Sequence, residues 1–376
     1  MYSTLNGLRG VAAIAVLILH GQGFFGRWTP ESAYLAVDFF FVMSGFVIAN
    51  SYEERFKNGL RTSQFFWMRA IRFYPLYVIG AIIGSVSAAL AWRMGAGELN
   101  LFGLVRAIVL GLVMLPSPDF NYALVLYPTN VPGWSLFYEI AINVFYVAFW
   151  KKLTNTVLIL TVSIAAVMLI ASAFHFGNLD IGAYWQTFIG GSIRVYFSFF
   201  LGVIIYRFGL PRLGPRILSW TPLFIIAALF TVHIDGAARI FFDLFCVLFL
   251  FPAIVMLAAS IEPTRISQPI FEYIGEASFA VYAIHAPIFE MARRAVRMYG
   301  HSPAAFSPGA GVALLVLIFF AALALSRYYD PLARRILSNA IRSRLQDGPQ
   351  GTAFASARSP VGEGALRAGG RRDHGA

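Results

Sequence analysis

The sequence predicts an all-α polytopic integral membrane protein, and two features of its composition lead to that class. Of its 376 residues, 59% are hydrophobic and only 12% are charged. A soluble globular protein carries about 25% charged residues, because its surface faces water. The apolar residues also form long blocks, such as 157–174 and 241–259. About 20 such residues cross the core of a bilayer, so several blocks are long enough to span it.

We place ten membrane-spanning helices along the chain. An eleventh apolar segment, 101–116, is short and is followed closely by Pro118. We interpret it as interfacial or re-entrant, because counting it as a span reverses the side of every later loop. The ten spans lie near residues 5–24, 34–50, 73–92, 132–150, 154–174, 190–208, 217–233, 240–259, 274–292 and 309–328.

The lysines and arginines predict that both termini are cytoplasmic. With ten spans, the main basic clusters all fall inside the cell, as the positive-inside rule requires. These clusters are the loop 51–72, Lys151 and Lys152, the arginines at 207, 212 and 216, and those of the C-terminal region. Arg293, Arg294 and Arg297 fall outside, where we expect an amphipathic interfacial helix. The net charge of +11 therefore belongs to loops and tail, and it does not indicate nucleic-acid binding.

The chain divides into a membrane-embedded domain, residues 1–335, and a basic tail, residues 336–376. From about Ser343 the composition turns to Gly, Ala, Ser, Arg and Pro, which cannot bury a core, so we expect a disordered cytoplasmic tail. Met1–His20 has no basic leader and reads as the first span rather than a cleaved signal. One cysteine, Cys246, and scattered histidines indicate neither a disulfide nor a metal site.

Ionisable residues inside apolar spans are functional candidates, because each costs several kcal/mol unless it is paired or hydrated. Arg9 and His20 share the first span. They are eleven residues apart, which places them on nearly the same helix face and about 16 Å apart along the axis. The alternatives are a snorkelling anchor for Arg9 and a packed, hydrogen-bonded imidazole for His20.

Five further positions carry polar groups into the membrane. Asp38 either caps its helix or acts in a site, and Ser44 either acts there or makes a small-residue helix contact. Glu139 has no cation nearby in sequence and needs a partner from another helix, unless it is a protonated structural residue. Tyr282 and His285 are three residues apart and share one helix face.

Arg69 and Arg72 lie at the start of the third predicted span. At positions i and i+3 they share a helix face and could clamp a polyanion, since the guanidinium grips phosphate oxygens in pairs. The alternative is that they only satisfy the positive-inside rule.

Five segments, in order along the chain, resemble the membrane-bound acyltransferase-3 family over roughly residues 5–328. Position 6 departs from the family, which usually has Asp where this chain has Asn6. The segments are Leu5-Asn6-Gly7-Leu8-Arg9-Gly10 with His20, the run from Val37 through Asp38 and Ser44 to Phe46, Arg69-Ala70-Ile71-Arg72, Trp134-Ser135-Leu136-Phe137-Tyr138-Glu139, and Ser278-Phe279-Ala280-Val281-Tyr282-Ala283-Ile284-His285.

The resemblance implies a multi-pass enzyme of the bacterial inner membrane that moves an acyl group, usually acetyl, from acyl-CoA to a sugar hydroxyl. The acceptor implied is a cell-surface or exported glycan or a lipid-linked sugar, and no permanently bound cofactor is expected. In the family, Arg9 and His20 match an essential pair, and Arg69 and Arg72 match paired arginines on the donor side.

Combining residues and resemblance, we expect His20 to be the general base, since imidazole suits proton transfer near neutral pH. Glu139 would orient His20, and Arg9 would lie between donor and base. Arg69 and Arg72 would hold CoA phosphates. The supporting residues would be Asp38, Ser44, Trp134, Tyr282 and His285. Two alternatives remain open: a proton-coupled transporter of glycans or organic acids, and a non-catalytic membrane scaffold.

Overall fold

A computed structural model describes residues 2–118, 124–209 and 216–346. Within these ranges the chain is helical, apart from turns and one isolated antiparallel bridge between Val125 and Tyr184. The helices are α1 (Ser3–His20), α2 (Gln22–Phe25), α3 (Ala36–Lys57), α4 (Thr62–Arg93), α5 (Leu101–Leu112), α6 (Gly133–Phe149), α7 (Asn155–Phe176), α8 (Phe188–Phe208), α9 (Thr221–Phe230), α10 (Ala237–Phe245), α11 (Phe251–Ser260), α12 (Gln268–Met298), α13 (Gly309–Ala324) and α14 (Asp330–Gln346).

The all-α membrane fold predicted from the sequence is confirmed. A helix lies at each of the ten predicted spans, with α10, a π-helical turn and α11 together forming the eighth. Among the described residues, seven helical segments are long and apolar enough to cross a membrane. The apolar helices α6 and Leu218–Phe230 are shorter than that limit. Helix α12 is long, but it carries several charged residues on one side.

The structure gives the lengths of two segments that the sequence did not settle, which are α5 and the helix at the start of the predicted tail. Helix α5 has 12 residues, which rise about 18 Å, well short of a bilayer core of about 30 Å. Helix α14 continues to Gln346, beyond the predicted start of the tail at residue 336. No glycine interrupts the sequence of α14. Arg212 and residues 347–376 of the predicted tail lie outside the described residues.

The helix directions define two faces of the bundle. We call the side on which α1, α4 and α12 begin and α3, α6 and α8 end the N-face, and the opposite side the C-face. The contacts that fix these directions are Asn6–Gly275 and His20–His285 for α1 and α12, Phe73–Phe279 and Ser87–Arg294 for α4 and α12, Asp38–Arg194 and Glu53–Arg207 for α3 and α8, Ser44–Glu139 and Glu53–Tyr146 for α3 and α6, and Tyr2–Phe46 for α1 and α3.

Helices α3 and α8 approach until their backbones touch. A Cβ atom built on Gly45 would lie 1.9 Å from the carbonyl oxygen of Phe199, and one on Gly202 would lie 2.1 Å from that of Val42. Small residues allow such close crossings in membranes, where packing replaces the hydrophobic effect as the force between helices.

We expect Gly45→Ala to destabilise the protein by at least the 1–3 kcal/mol that is roughly typical of overpacking, because a carbonyl group cannot move aside as a side chain can. The control is Gly309→Ala, whose added Cβ would meet nothing within 4 Å. Thermal unfolding in detergent can be followed with a thiol-reactive dye, because the only cysteine, Cys246, is buried until the protein opens. Equal melting temperatures for both variants would contradict the close crossing.

Candidate active site

Two histidines meet near the C-face. His20 is the last residue of α1 and His285 lies on α12, with ring centroids 4.9 Å apart in an edge-to-face arrangement. The Nδ1 of His20 lies 3.0 Å from the carbonyl oxygen of Val16, and that of His285 lies 3.0 Å from the oxygen of Val281. Carbonyl oxygens only accept, so both Nδ1 atoms donate. In the neutral rings each Nε2 then carries the lone pair.

The surroundings of this histidine pair (His20 and His285) are fixed by α12. Arg293 donates from Nη1 to the carbonyl oxygen of His20 at 2.8 Å, which satisfies one of the free carbonyls at the end of α1. His285 is fully buried, and its Nε2 has no hydrogen-bond partner among the described residues. A buried lone pair without a donor is costly, so this nitrogen is a vacant hydrogen-bond acceptor inside the bundle.

A second polar group lies in the middle of the bundle and centres on Glu139. Its Oε1 accepts hydrogen bonds from Ser44, from Asn143 at 2.9 Å and from Arg69 at 3.2 Å. The side chains of Arg69 and Glu139 are 9% and 10% exposed, so this ion pair is largely shielded from solvent. Arg9 lies close enough for its charge to interact with both. We call these five residues the central cluster.

The structure therefore separates residues that the sequence placed together. Glu139 is not the partner of His20: no hydrogen bond joins these two described residues, and His20 meets His285 instead. The reason is helix packing, since α6 lies against α3, α4 and α8 while α1 packs chiefly on α12. Arg69 and Arg72, predicted to act together, also have different surroundings. Arg69 is buried against Glu139, whereas Arg72 is exposed.

Tyr282 and Ser135 lie between the histidine pair and the central cluster. Their hydroxyl oxygens are 2.6 Å apart, and the ring of Tyr282 lies 5.7 Å from that of His285. Ser135 is one helical turn from Glu139 on α6. Tyr282 and His285, predicted to share a face, thus do so, and from that face Tyr282 contacts Ser135 on α6 while His285 contacts His20 on α1.

Asp38 has a partner that sequence reasoning missed. Arg194 on α8 donates from Nη2 to Asp38 at 2.5 Å and from Nε to both carboxylate oxygens at 3.2 Å. Their side chains are 1% and 0% exposed. Arg194 also donates to the carbonyl of Ile181 and lies over the ring of Trp134, 5.8 Å from its centroid. The available signal was Arg194 itself, an ionisable residue inside an apolar span.

A cavity of about 890 Å³ opens at the C-face beside the end of α1. Its polar lining comprises Gln22, Thr29, Glu31, Tyr34, Asn178, Asp180, Asp235 and Arg239. At its rim His233 bridges two carboxylates, with Nδ1 bonded to Glu31 and Nε2 3.1 Å from Asp235. The hydrogen bond to Glu31, followed by the charges of Glu31 and Asp235, raises the pKa of His233 above its ordinary value. No group of three or more potential metal ligands occurs in the described part of the chain.

Comparison with known proteins decides the family. The family model described as an acyltransferase domain matches residues 2–327, which include the histidine pair and the central cluster. The chain belongs to this acyltransferase family. The resemblance drawn from the five sequence segments is thereby confirmed, and the protein is a multi-pass membrane acyltransferase.

Curated relatives of this acyltransferase agree with that assignment. It is 36% identical to "Protein 2 in picA locus" of Rhizobium radiobacter over 184 residues, which cover 46% of this chain and 94% of the relative. It is 27% identical to "Acyltransferase MdmB" of Streptomyces mycarofaciens over 330 residues, covering 77% and 80% of the two chains. No solved structure matches the acyltransferase.

Proposed function

We propose that the protein transfers an acyl group, in the first instance acetyl, from acyl-CoA to a hydroxyl group of a cell-surface or exported glycan or a lipid-linked sugar. His20 is the general base. The observation that carries this proposal is the Nδ1 donor bond of His20 to Val16, which leaves Nε2 as the acceptor nitrogen of a residue whose chain neighbours Leu19 and Gln22 line the C-face cavity.

The reaction balances without an additional proton source. The acceptor hydroxyl gives its proton to Nε2 of His20 as its oxygen attacks the thioester carbonyl. The tetrahedral intermediate then expels the CoA thiolate, which takes the proton back from the imidazolium. An acyl-imidazole intermediate on His20 would use the same nitrogen, so direct and two-step transfer share this requirement.

The donor is proposed to enter from the N-face. Arg72 is exposed near the start of α4 and can contact CoA phosphates, while Arg69 and Arg9 lie deeper. Arg9 and His20 are about 16 Å apart along α1. An acyl-CoA suits that separation, since its long pantetheine arm can carry the thioester away from the phosphates towards His20. Arg9 and Arg69 would lie along the path of the arm, and Glu139 would hold Arg69 in place.

The protein is proposed to lie in the bacterial inner membrane with its N-face towards the cytoplasm. The helix ends at the N-face carry most of the lysines and arginines, which supports this orientation under the positive-inside rule. These include Arg55, Lys57, Arg61, Arg72, Lys151, Lys152, Arg207 and Arg216. Arg93, Arg239 and the arginines at the end of α12 lie at the C-face instead, where Arg293 and Arg294 form ion pairs with Glu290.

Inverted membrane vesicles test the reaction and its direction together. Acetyl-CoA labelled in its acetyl group is supplied outside, and label is followed into glycan. We expect transfer with inverted vesicles and none with sealed right-side-out vesicles. Absence of transfer from a whole panel of acyl-CoA donors, in vesicles that move glycans or acids down a proton gradient, would favour a transporter instead.

We expect Arg72→Ala to raise the KM for acyl-CoA about ten-fold or more, with little change in kcat. A lost hydrogen bond between charged groups costs about 1.5–3 kcal/mol, and about 1.4 kcal/mol corresponds to a factor of ten. Lys151→Ala is the control, since Lys151 is also exposed and cationic at the N-face. Equal donor KM values for both variants would remove Arg72 from the donor site.

A further inference from the structure

The C-face cavity lies next to His20, which is not itself one of its lining residues. Leu19 and Gln22, on either side of His20 in the chain, both line it. His20 is also close enough to Asp180, another lining residue, for their charges to interact. The cavity volume of about 890 Å³ lies within the range of about 300–1,000 Å³ usual for ligand pockets.

One wall of the cavity is held rigid by a hydrogen-bonded network beneath it. Tyr34 donates from its hydroxyl to the carboxylate of Asp243 at 2.6 and 2.5 Å and accepts from Nε of Arg239 at 2.7 Å. Asp243 is fully buried and also accepts from the backbone N–H of Leu179 at 2.9 Å. A wall fixed before binding lowers the cost of ordering the site around a ligand.

The charges of the lining favour an uncharged ligand. Among the described lining residues Arg239 is the one cation, and buried Asp243 offsets its charge at 3.4 Å. The lining also holds three carboxylates, Glu31, Asp180 and Asp235, and His233 at the rim, which bridges Glu31 and Asp235, can offset only one of them. Because like charges juxtaposed at a binding site cost several kcal/mol, a uronic acid or a phosphorylated sugar is disfavoured here.

The remaining polar groups match vicinal hydroxyls. Carboxylates accept hydrogen bonds, and the amide groups of Gln22 and Asn178 both donate and accept. A polyhydroxylated ring supplies both kinds of partner on neighbouring carbons, and the volume leaves room for more than one ring.

We propose that this cavity binds the acyl acceptor and that its carboxylates select an uncharged sugar over an anionic one. This inference rests on the proposed function, because it assigns the acceptor half of that reaction. It adds a binding site, a set of residues and a charge preference that the family membership alone does not contain.

The first test measures the charge of the cavity without using the enzyme reaction. In a Cys246→Ser background, Gln22→Cys is treated with a cationic and an anionic methanethiosulfonate reagent of similar size. The measured quantity is the ratio of the reaction rates of the cationic and the anionic reagent. We expect this ratio at the introduced cysteine to be several-fold higher than the same ratio for 2-mercaptoethanol in solution. Asp180→Asn with Glu31→Gln in the same chain should abolish that preference. An unchanged ratio, or preference for the anionic reagent, overturns the charge assignment.

The second test asks whether the cavity holds the acceptor. After complete modification of Gln22→Cys, the acceptor KM should rise at least ten-fold while the donor KM stays constant. Label should enter a neutral glycan fraction in preference to an acidic one. An unchanged acceptor KM after modification, or label found mainly in the acidic fraction, overturns the proposal.

These outcomes are distinguishable from failure of the proposed function. If unmodified protein transfers acyl groups and modification has no effect, the acceptor binds elsewhere and the enzyme assignment survives. If unmodified protein transfers nothing from any donor, the enzyme assignment fails, and the reagent pair still reports whether the cavity discriminates by charge.

Discussion

Replacing Arg194 with methionine is expected to lower the free energy of unfolding by about 3–5 kcal/mol, the range found when one partner of a buried ion pair is removed. Both side chains of the Asp38–Arg194 pair are shielded from solvent. The variant leaves Asp38 charged or forces it to take up a proton, and it also leaves the carbonyl of Ile181 without its donor. Since Arg194 joins α3 to α8 and contacts Trp134 on α6, we expect the loss to affect three helices.

The dye assay at Cys246 measures this prediction, and Arg327→Met is its control. Arg327 pairs with Glu276, but both side chains are substantially exposed, so its removal should cost about 1 kcal/mol or less. The double variant Asp38→Asn with Arg194→Met should be less destabilised than the sum of the single variants, because no unpaired charge remains. Indistinguishable melting curves for Arg194→Met and Arg327→Met would show that the buried pair contributes little.

The helical fold was predictable because the bilayer imposes it segment by segment. An apolar block such as 157–174 must satisfy its own backbone hydrogen bonds, which only a helix does within one segment. Its length then fixes one span, and α7 (Asn155–Phe176) follows the block closely. Helix α12 was also predicted at the right place. It runs from Gln268 to Met298 and so extends past both ends of the predicted span 274–292, into segments that carry charged residues.

The partners of the polar residues were not predictable in the same way. Periodicity shows which residues share a face of one helix, but not which other helix that face meets. Arg9 and His20 share a face, yet they join different groups because α1 passes both the central cluster and α12. Glu139 was recognised as needing a cation from another helix, and that cation is Arg69.

The two polar groups divide the proposed reaction between them. The central cluster holds its charges in a network, with Glu139 receiving three donors. Its ion pair is fixed by these bonds, although Oδ1 of Asn143 has no partner among the described residues, and such a group suits binding and positioning. The histidine pair has the unused lone pair of His285. We propose that proton transfer takes place at the histidine pair, at the C-face end of α1, because imidazole is the side chain that enzymes use most often for this step.

We therefore expect His20→Gln to lower kcat for acyl transfer by about 10²–10⁴-fold, the usual contribution of a positioned general base. Glutamine is close to histidine in size and can still hydrogen-bond to the carbonyl of Val16, but it cannot take up the acceptor proton. The donor KM should stay within a few-fold of wild type, because Arg72 and the central cluster are untouched. Labelled transfer from inverted vesicles, with acetyl-CoA varied, separates the two parameters.

His175→Gln is the matched control, since His175 is exposed at the end of α7 and has no place in the proposed mechanism. Its kcat should equal that of wild type. If His20→Gln retains kcat within about ten-fold while His285→Gln does not, the base is His285, whose buried Nε2 is the alternative acceptor. If neither variant loses activity, the hydroxyl proton leaves by a route that does not involve the histidine pair, and the acceptor site must be sought away from the end of α1.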